Sequence, residues 1–200
     1  MRRSSPTTSP AATEPAAPGP APDAPFTALD FETADYGADS ACALALVRVE
    51  GVRIVSRDLF MIRPPRSRFA FTHIHGITWD HVRREPTFAE LWPEIEAKLA
   101  GAAFLAAHNA PFDRGVLAAC CALAGHAPPS LDFLCTVRLA RRAWRLPRAN
   151  LPAVCAHLGI ELNHHDPASD AEACARIAIA ARTEGIALGL PSPPRRKPSR

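Results

Sequence analysis

Two carboxylates, Asp30 and Glu32, stand two residues apart in the segment TALDFETA (27–34), inside a run that is otherwise apolar. In a strand, residues two apart project from one face, so the pair points together while Leu29 and Phe31 point the other way. Like charges about 6 to 7 Å apart repel in a dry setting unless a cation or a basic group lies between them. A bound metal resolves this economically; for the pair taken alone, a polar face turned to solvent is the plain alternative. Two further segments raise the same question. In HNAPFD (108–113), Pro111 sits at or near the first turn of a helix and helps to place Asp113 at that helix's N-terminal end, where the dipole favours an acid. In HHDPASD (164–170), Asp166 followed by Pro167 reads as an N-cap and first helical residue, which sets His165 just before the helix and Asp170 in its first turns. Capping accounts for Asp166. Asp170 differs: the turns after it are apolar (ACARIAIA), and an acid placed where a buried helix meets a sheet needs something positive nearby.

The elements that must carry these residues run as strands first and helices later. FTALDFE (26–32), ACALALVRVE (41–50) and VRIVSRDLFMI (52–62) read as three strands, the last two joined at Gly51 as a hairpin with polar steps at Arg48, Glu50, Arg53 and Ser56. RPPRSRFAFTHIHGIT (63–78) reads as a loop. TFAELWPEIEAKLA (87–100) has Phe88, Leu91, Ile95 and Leu99 at helical spacing, with Thr87 and Glu90 as a capping box. There follow a short buried strand at 103–108, a helix at 111–123, a strand at 131–136, helices near 137–145 and 149–158, and a last helix at 167–182. Single strands arriving between helices imply parallel additions to an opening antiparallel meander. The pattern predicts an α/β domain whose mixed, roughly five-stranded sheet is flanked by helices.

Length and composition are those of one globular domain: 200 residues, 48% hydrophobic and 22% charged. Of the 21 prolines, 7 fall in residues 1–25 and 4 in residues 191–200. The expected division is a Pro/Ala-rich disordered tail (1–24), a folded domain (25–188) and a basic Pro-rich tail (189–200), with a cleaved transit peptide as the alternative for the first segment. The net charge of +3 is concentrated at the end, in Arg195, Arg196, Lys197 and Arg200, so the folded body is close to neutral. Weak global steering means that any nucleic-acid contact comes from local basic patches or from that tail. Six cysteines without C-x-x-C or finger spacing read as reduced core thiols, and nothing is apolar enough for a secretory core or a membrane span; a cytoplasmic location is expected.

Taken together, Asp30-Phe-Glu32, then His108-Asn-Ala-Pro-Phe-Asp113, then His165 five positions before Asp170 resemble the three motifs of the DEDDh branch of the DnaQ-like 3′–5′ exonucleases, the group of the proofreading epsilon subunit of DNA polymerase III. The resemblance spans about residues 25 to 183 and includes FTHIHGIT (71–78). It implies an RNase H-like fold, two divalent cations (Mg²⁺ or Mn²⁺) held by Asp30, Glu32, Asp113 and Asp170, and hydrolysis of the last phosphodiester of a nucleic-acid strand with His165 as general base. By the same pattern Asp30 bridges the ions, Glu32 and Asp170 hold the one that carries the attacking water, and Asp113 holds the other. It also implies that the backbone around Phe31 and Thr33 meets the terminal 3′-hydroxyl, that Asn109 and Phe112 touch the strand end, and that the His75 loop packs on the terminal base. A core position for Phe112, and a strand-closing hydrogen bond for His108, are the structural alternatives. His164 reads as a surface neighbour of His165. One departure is ETADYG where the family often continues Glu with Thr-Gly, which leaves the choice between ribose and deoxyribose open.

The expected activity is release of nucleoside 5′-monophosphates from single-stranded DNA 3′ ends in repair or proofreading, with a DNA polymerase as a possible partner. The same chemistry on RNA or short oligonucleotides is the neighbouring alternative; an inactive nucleic-acid-binding or polymerase-associated module is the alternative from another class. Within VRLARRAWRLPR (137–148), Arg138, Arg141, Arg142 and Arg145 follow i, i+3, i+4, i+7 and predict one basic stripe on a helix, read as a solvated face with phosphate contact as the alternative. Trp92 and Trp144 are core candidates.

Overall fold

The computed structural model describes residue 21 and residues 23–190. The two expected tails therefore lie almost wholly outside the described residues, including the four cationic side chains between 195 and 200.

Strand β1 (Phe26–Thr33) pairs antiparallel with β2 (Ala41–Glu50), which pairs antiparallel with β3 (Arg53–Met61). Gly51, at φ 58°, takes the left-handed turn between β2 and β3. Two short helices, α1 (Thr72–His75) and α2 (Trp79–Val82), precede the long helix α3 (Phe88–Leu99). α1 corrects the reading of 63–78 as a loop, and α2 follows just after it; each is a single turn, too short for its periodicity to be seen against the background. The Thr87–Glu90 capping box that opens α3 is present, with Glu90 N–H donating to Thr87 Oγ1 and Thr87 N–H to Glu90 Oε2. Strand β4 (Phe104–Ala107), helix α4 (Ala110–Leu123), strand β5 (Phe133–Cys135), and helices α5 (Thr136–Ala143), α6 (Leu151–Leu158) and α7 (Pro167–Thr183) complete the chain order. The sheet order is β3-β2-β1-β4-β5, with β4 parallel to both β1 and β5.

The period-2 alternation of β1 and β4 divides the core into two layers. Phe26, Ala28, Phe104 and Ala106 face α5, α6 and α7, while Leu29, Phe31, Leu105 and Ala107 face α3 and α4. Strand β2 is covered on both sides, which is why it reads as a continuous apolar run. Fully burying each large apolar side chain here, such as Leu29, Ile95 or Ile177, contributes about 1.5–3 kcal/mol.

Helix α7 is the element that sets the site. Its buried face is built mainly from small residues (Ala171, Ala173, Cys174, Ala175, Ala178, Ala181), so its backbone can approach the sheet closely across β1 and β2. Its far end is pinned by Arg182, whose guanidinium lies over the Phe26 and Phe104 rings, 4.8 and 5.6 Å from their centroids, and donates to the carbonyls of Gly51 and Ala24. Its near end carries Asp170. The basic stripe is shorter than expected: α5 ends at Ala143, and Arg145 follows it at φ 50° rather than continuing the helix. Trp92 is in the core, whereas Trp144 is half-buried and donates its indole N–H to Glu184. No helix among the described residues is long and apolar enough to cross a membrane.

Candidate active site

Strands β1 and β4 pair from Phe26 and Phe104 only as far as Ala28 and Ala106, so beyond that point the edge of β1 facing β4 has no strand beside it. Asp30, Phe31 and Glu32 occupy this stretch, at the C-terminal end of a central strand where neighbouring connections leave in opposite directions, the place where open α/β sheets form their clefts. The Phe31 N–H, freed from strand pairing, donates instead to Asp113 Oδ1 at 3.1 Å. This one bond carries Asp113 across 82 residues of sequence to the strand that holds the acidic pair. Asp113 is placed for it by the turn into α4: Asn109 is left-handed (φ 74°), Pro111 lies in the first turn, and the carboxyl is 1% exposed.

Asp170 arrives from the other face. Asp166 caps α7 by accepting from Ser169 N–H at 2.9 Å, as its sequence context predicts. His165 precedes it at φ 72°, and this turn aims the His165 backbone N–H at Asp170 Oδ2 (3.1 Å). The same oxygen is 3.0 Å from His164 Nδ1. His164 is thus more than the bystander its sequence position suggested: exposed on one side, it holds Asp170, and its ring stacks on that of His165 with centroids 3.9 Å apart. The other carboxylate oxygen, Asp170 Oδ1, is buried and has no hydrogen-bond partner among the described residues.

The electrostatics follow from this crowding. Burial and the charges of Asp113, Asp170 and Glu32 push the Asp30 carboxyl well above its ordinary range. Burial, with Asp170, Asp113 and Asp166, raises Glu32 to about 7. Burial raises Asp113 to about 7 despite the Phe31 N–H, and raises Asp170 despite its contacts with His165 and His164. Within the described residues no lysine or arginine pairs with any of the four. Four carboxylates with an orphaned inward oxygen form a set of hard oxygen donors short of positive charge, which suits small divalent cations such as Mg²⁺ or Mn²⁺. The four sequence-predicted acids are thus near enough for Asp113, Asp170 and Glu32 to act on the charge of Asp30, while the ligand atoms that lie within 4.8 Å of one another are those of Asp170, His164 and His165.

The remaining predicted contacts are distributed unevenly. The Phe31 ring is buried on the opposite face, so only its backbone is at the site, and its N–H is already committed to Asp113. His75 Nδ1 accepts from Ile77 N–H (3.0 Å), which leaves Nε2–H to donate to the Thr33 carbonyl (3.2 Å); the ring ties α1 to the end of β1, and burial lowers its pKa. Thr33 itself is buried. His108 closes its strand as the structural reading anticipated, with Nδ1 2.8 Å from Thr136 Oγ1 and burial lowering its pKa to about 4. Phe112 is not core: it is 47% exposed beside Asp113, and Asn109 is exposed as well. After Glu32 the ETADYG segment forms a clamped loop. Asp35 accepts from Gly37 N–H, and Arg66 bridges Asp35 and Asp39 at 2.9 and 2.6 Å, which holds Tyr36 85% exposed against the edge of Phe71.

A cleft of about 400 Å³ opens beside two of the acids, lined by Asp30, Asp170, His164, His108 and Asn109 and by residues of α5 and the start of α6; Glu32 and Asp113 are not part of its lining. A larger groove of about 1080 Å³ runs between β3 and α7, but none of the four acids lines it.

Comparison with known proteins agrees with this geometry. The sequence profile of the exonuclease family RNase T matches residues 27–178. A DNA polymerase III of PolC type from Oceanobacillus iheyensis is 34% identical over 155 residues, covering 74% of this chain and 11% of that protein. A DNA polymerase III subunit epsilon-like protein from Rhodobacter capsulatus is 37% identical over 94 residues, covering 44% of this chain and 13% of its own length. The chain thus spans about a tenth of the length of these curated relatives. Among solved structures, exonuclease X in complex with 5′-overhanging duplex DNA superposes with a TM-score of 0.66 at 25% identity, covering 82% of this chain and 95% of that one. Exonuclease I, at 18% identity and a TM-score of 0.69, covers 80% of this chain and 41% of its own and shares the RNase H-like fold.

Proposed function

The chain belongs to the RNase T exonuclease family, in its DnaQ-like branch, and from that membership we propose that it is a metal-dependent 3′–5′ exonuclease that removes nucleoside 5′-monophosphates from single-stranded DNA ends. The observation that carries the proposal is that Asp30, which lines the cleft together with Asp170, is crowded by the charges of Asp113, Asp170 and Glu32, with no lysine or arginine paired to any of the four among the described residues. In this reading those four side chains hold two divalent cations, Mg²⁺ or Mn²⁺. Bound there, such ions stabilise charge on the attacking and leaving oxygens of an in-line displacement.

The chain's own residues supply the rest. Asp113 is oriented by the Phe31 N–H, and Asp170 by His164 and the His165 backbone. His165, on an exposed turn, takes the proton of the attacking water, the general-base task most often carried by a histidine. Asn109, which lines the cleft, and the exposed Phe112 beside Asp113 orient the last nucleotide in this reading. His75 acts one step back, by fixing the end of β1.

The test uses the purified chain with 5′-labelled single-stranded DNA, matched RNA, and duplex DNA with a 5′ overhang, the form bound by exonuclease X. Each is incubated with Mg²⁺ and with EDTA. A Mg²⁺-dependent ladder of labelled products shortened one nucleotide at a time on DNA is the expected result. Faster shortening of RNA would transfer the same chemistry to the ribonuclease reading. Binding without shortening, with all four acids intact, would favour a module that only binds.

A further inference from the structure

The cleft over the acids has a second, cationic wall that neither the acids nor the histidines account for. Val137 and Arg141, one helical turn apart, are the residues of α5 that line it. Arg138 and Arg142 project elsewhere: both are exposed away from the cleft, and Arg142 donates to the Ala187 carbonyl. Arg141 is exposed and makes no ion pair or hydrogen bond among the described residues. Although it lines the same cleft as Asp30 and Asp170, it forms no ion pair with either among the described residues. Asn150, which also lines the cleft, occupies the N-cap position of α6 without bonding its side chain to the helix, so its amide is free to donate into the same space.

An arginine kept beside a cluster of acids, yet not spent on neutralising them, suits a second anion in the same cleft. Resting on the exonuclease reading above, we propose that Arg141, assisted by the Asn150 amide, binds the phosphate next to the scissile one, on its 5′ side. The guanidinium fork matches a phosphate's paired oxygens, and the contact positions the strand without touching the reacting atoms. It requires a substrate of at least two internucleotide links for full affinity, and it is indifferent to base and sugar. Because the contact is equal in the ground and transition states, it acts on KM more than on kcat.

The test pairs Arg141→Ala with a chemical deletion in the substrate, a short 5′-labelled oligothymidylate whose second link from the 3′ end is an uncharged methylphosphonate. For wild-type protein the neutral link is expected to raise KM about 10-fold, the usual weight of one charge-assisted contact. Arg141→Ala should raise KM on the normal oligomer by a similar factor, Arg141→Lys by less, and Arg138→Ala by less than about 2-fold. The decisive number is the coupling: on Arg141→Ala the neutral link should cost less than about 2-fold more. A full 10-fold penalty from the neutral link in Arg141→Ala, or a wild-type KM for that variant on the normal oligomer, overturns the assignment. Binding is read separately, by anisotropy of the labelled oligomer in EDTA across a salt series, where the log–log slope for Arg141→Ala should be shallower by about 0.7. If wild type binds with that slope difference but shortens nothing, the phosphate site stands and the hydrolytic reading falls. If the slopes are equal, the phosphate site falls whatever the activity.

Discussion

Replacing Asp30 by Asn keeps the side chain's shape and removes one charge from the crowded end of β1, and the metal-free protein should become more stable for it. A carboxyl whose pKa in the folded protein lies above its unfolded value binds its proton more tightly in the native state. Its contribution is therefore fully present below the unfolded value near 4 and is lost as pH rises through the folded one. For Glu32 and Asp113 the folded value is about 7, and Asp30 and Asp170 are displaced the same way. In EDTA the wild-type protein should thus lose stability between about pH 5 and pH 8. For Asp113, 1% exposed, a rise from 3.8 to about 7 corresponds to a few kcal/mol at pH 8, since one pKa unit is about 1.4 kcal/mol. Asp30→Asn relieves the mutual repulsion and the desolvation of its own charge, on the order of 2 kcal/mol at pH 8, which for a chain of this size raises the melting temperature by about 4 to 8 °C. At pH 5 the cluster is already largely protonated and the gain should shrink to about 1 °C. Thermal unfolding of both proteins in EDTA across this range is the measurement, repeated with Mg²⁺, which should stabilise wild type at pH 8 and the variant much less. A wild-type melting temperature that climbs from pH 5 to pH 8 without metal, or a variant destabilised equally at both ends, would refute the claim that these carboxyls share one unneutralised site.

Four other substitutions have outcomes that follow from the geometry. His165→Ala should lower kcat by about 10²- to 10⁴-fold while leaving oligonucleotide binding in place, whereas His164→Ala, by releasing Asp170 Oδ2, should chiefly weaken Mg²⁺ dependence by about 10-fold or more; a pH–rate profile of each separates the two. Arg66→Ala should cost about 1 kcal/mol by opening the bridge between Asp35 and Asp39, and should speed amide exchange at Gly37, whose N–H donates to Asp35. Ile177→Ala should cost about 2–5 kcal/mol, measured by urea unfolding, because Ile177 is the large side chain among the alanines that seat α7 on the sheet.

The amino-acid sequence by itself determined the elements and the chemistry each could offer. Asp30 and Glu32 share a face because a strand repeats every two residues; Asp113 falls at a helix start because Pro111 suits a first turn; Asp170 follows an Asp-Pro cap by less than two turns. These are local rules, readable within a few residues, and they were enough to identify the three motifs and to order five strands as a meander with parallel additions. What lies between elements was decided only by the tertiary structure. The orphaned Asp170 oxygen, the Phe31 N–H given to Asp113, the contact of His164 with Asp170, the exposure of Phe112 and the turn of Arg141, alone among the arginines of α5, toward the cleft all depend on which faces meet across long stretches of chain. Spacing along a helix fixes which side chains lie together; only packing fixes what they look out upon. Here the packing is set by the small residues of α7, which let one end of that helix reach the open edge of β1 while Arg182 holds the other.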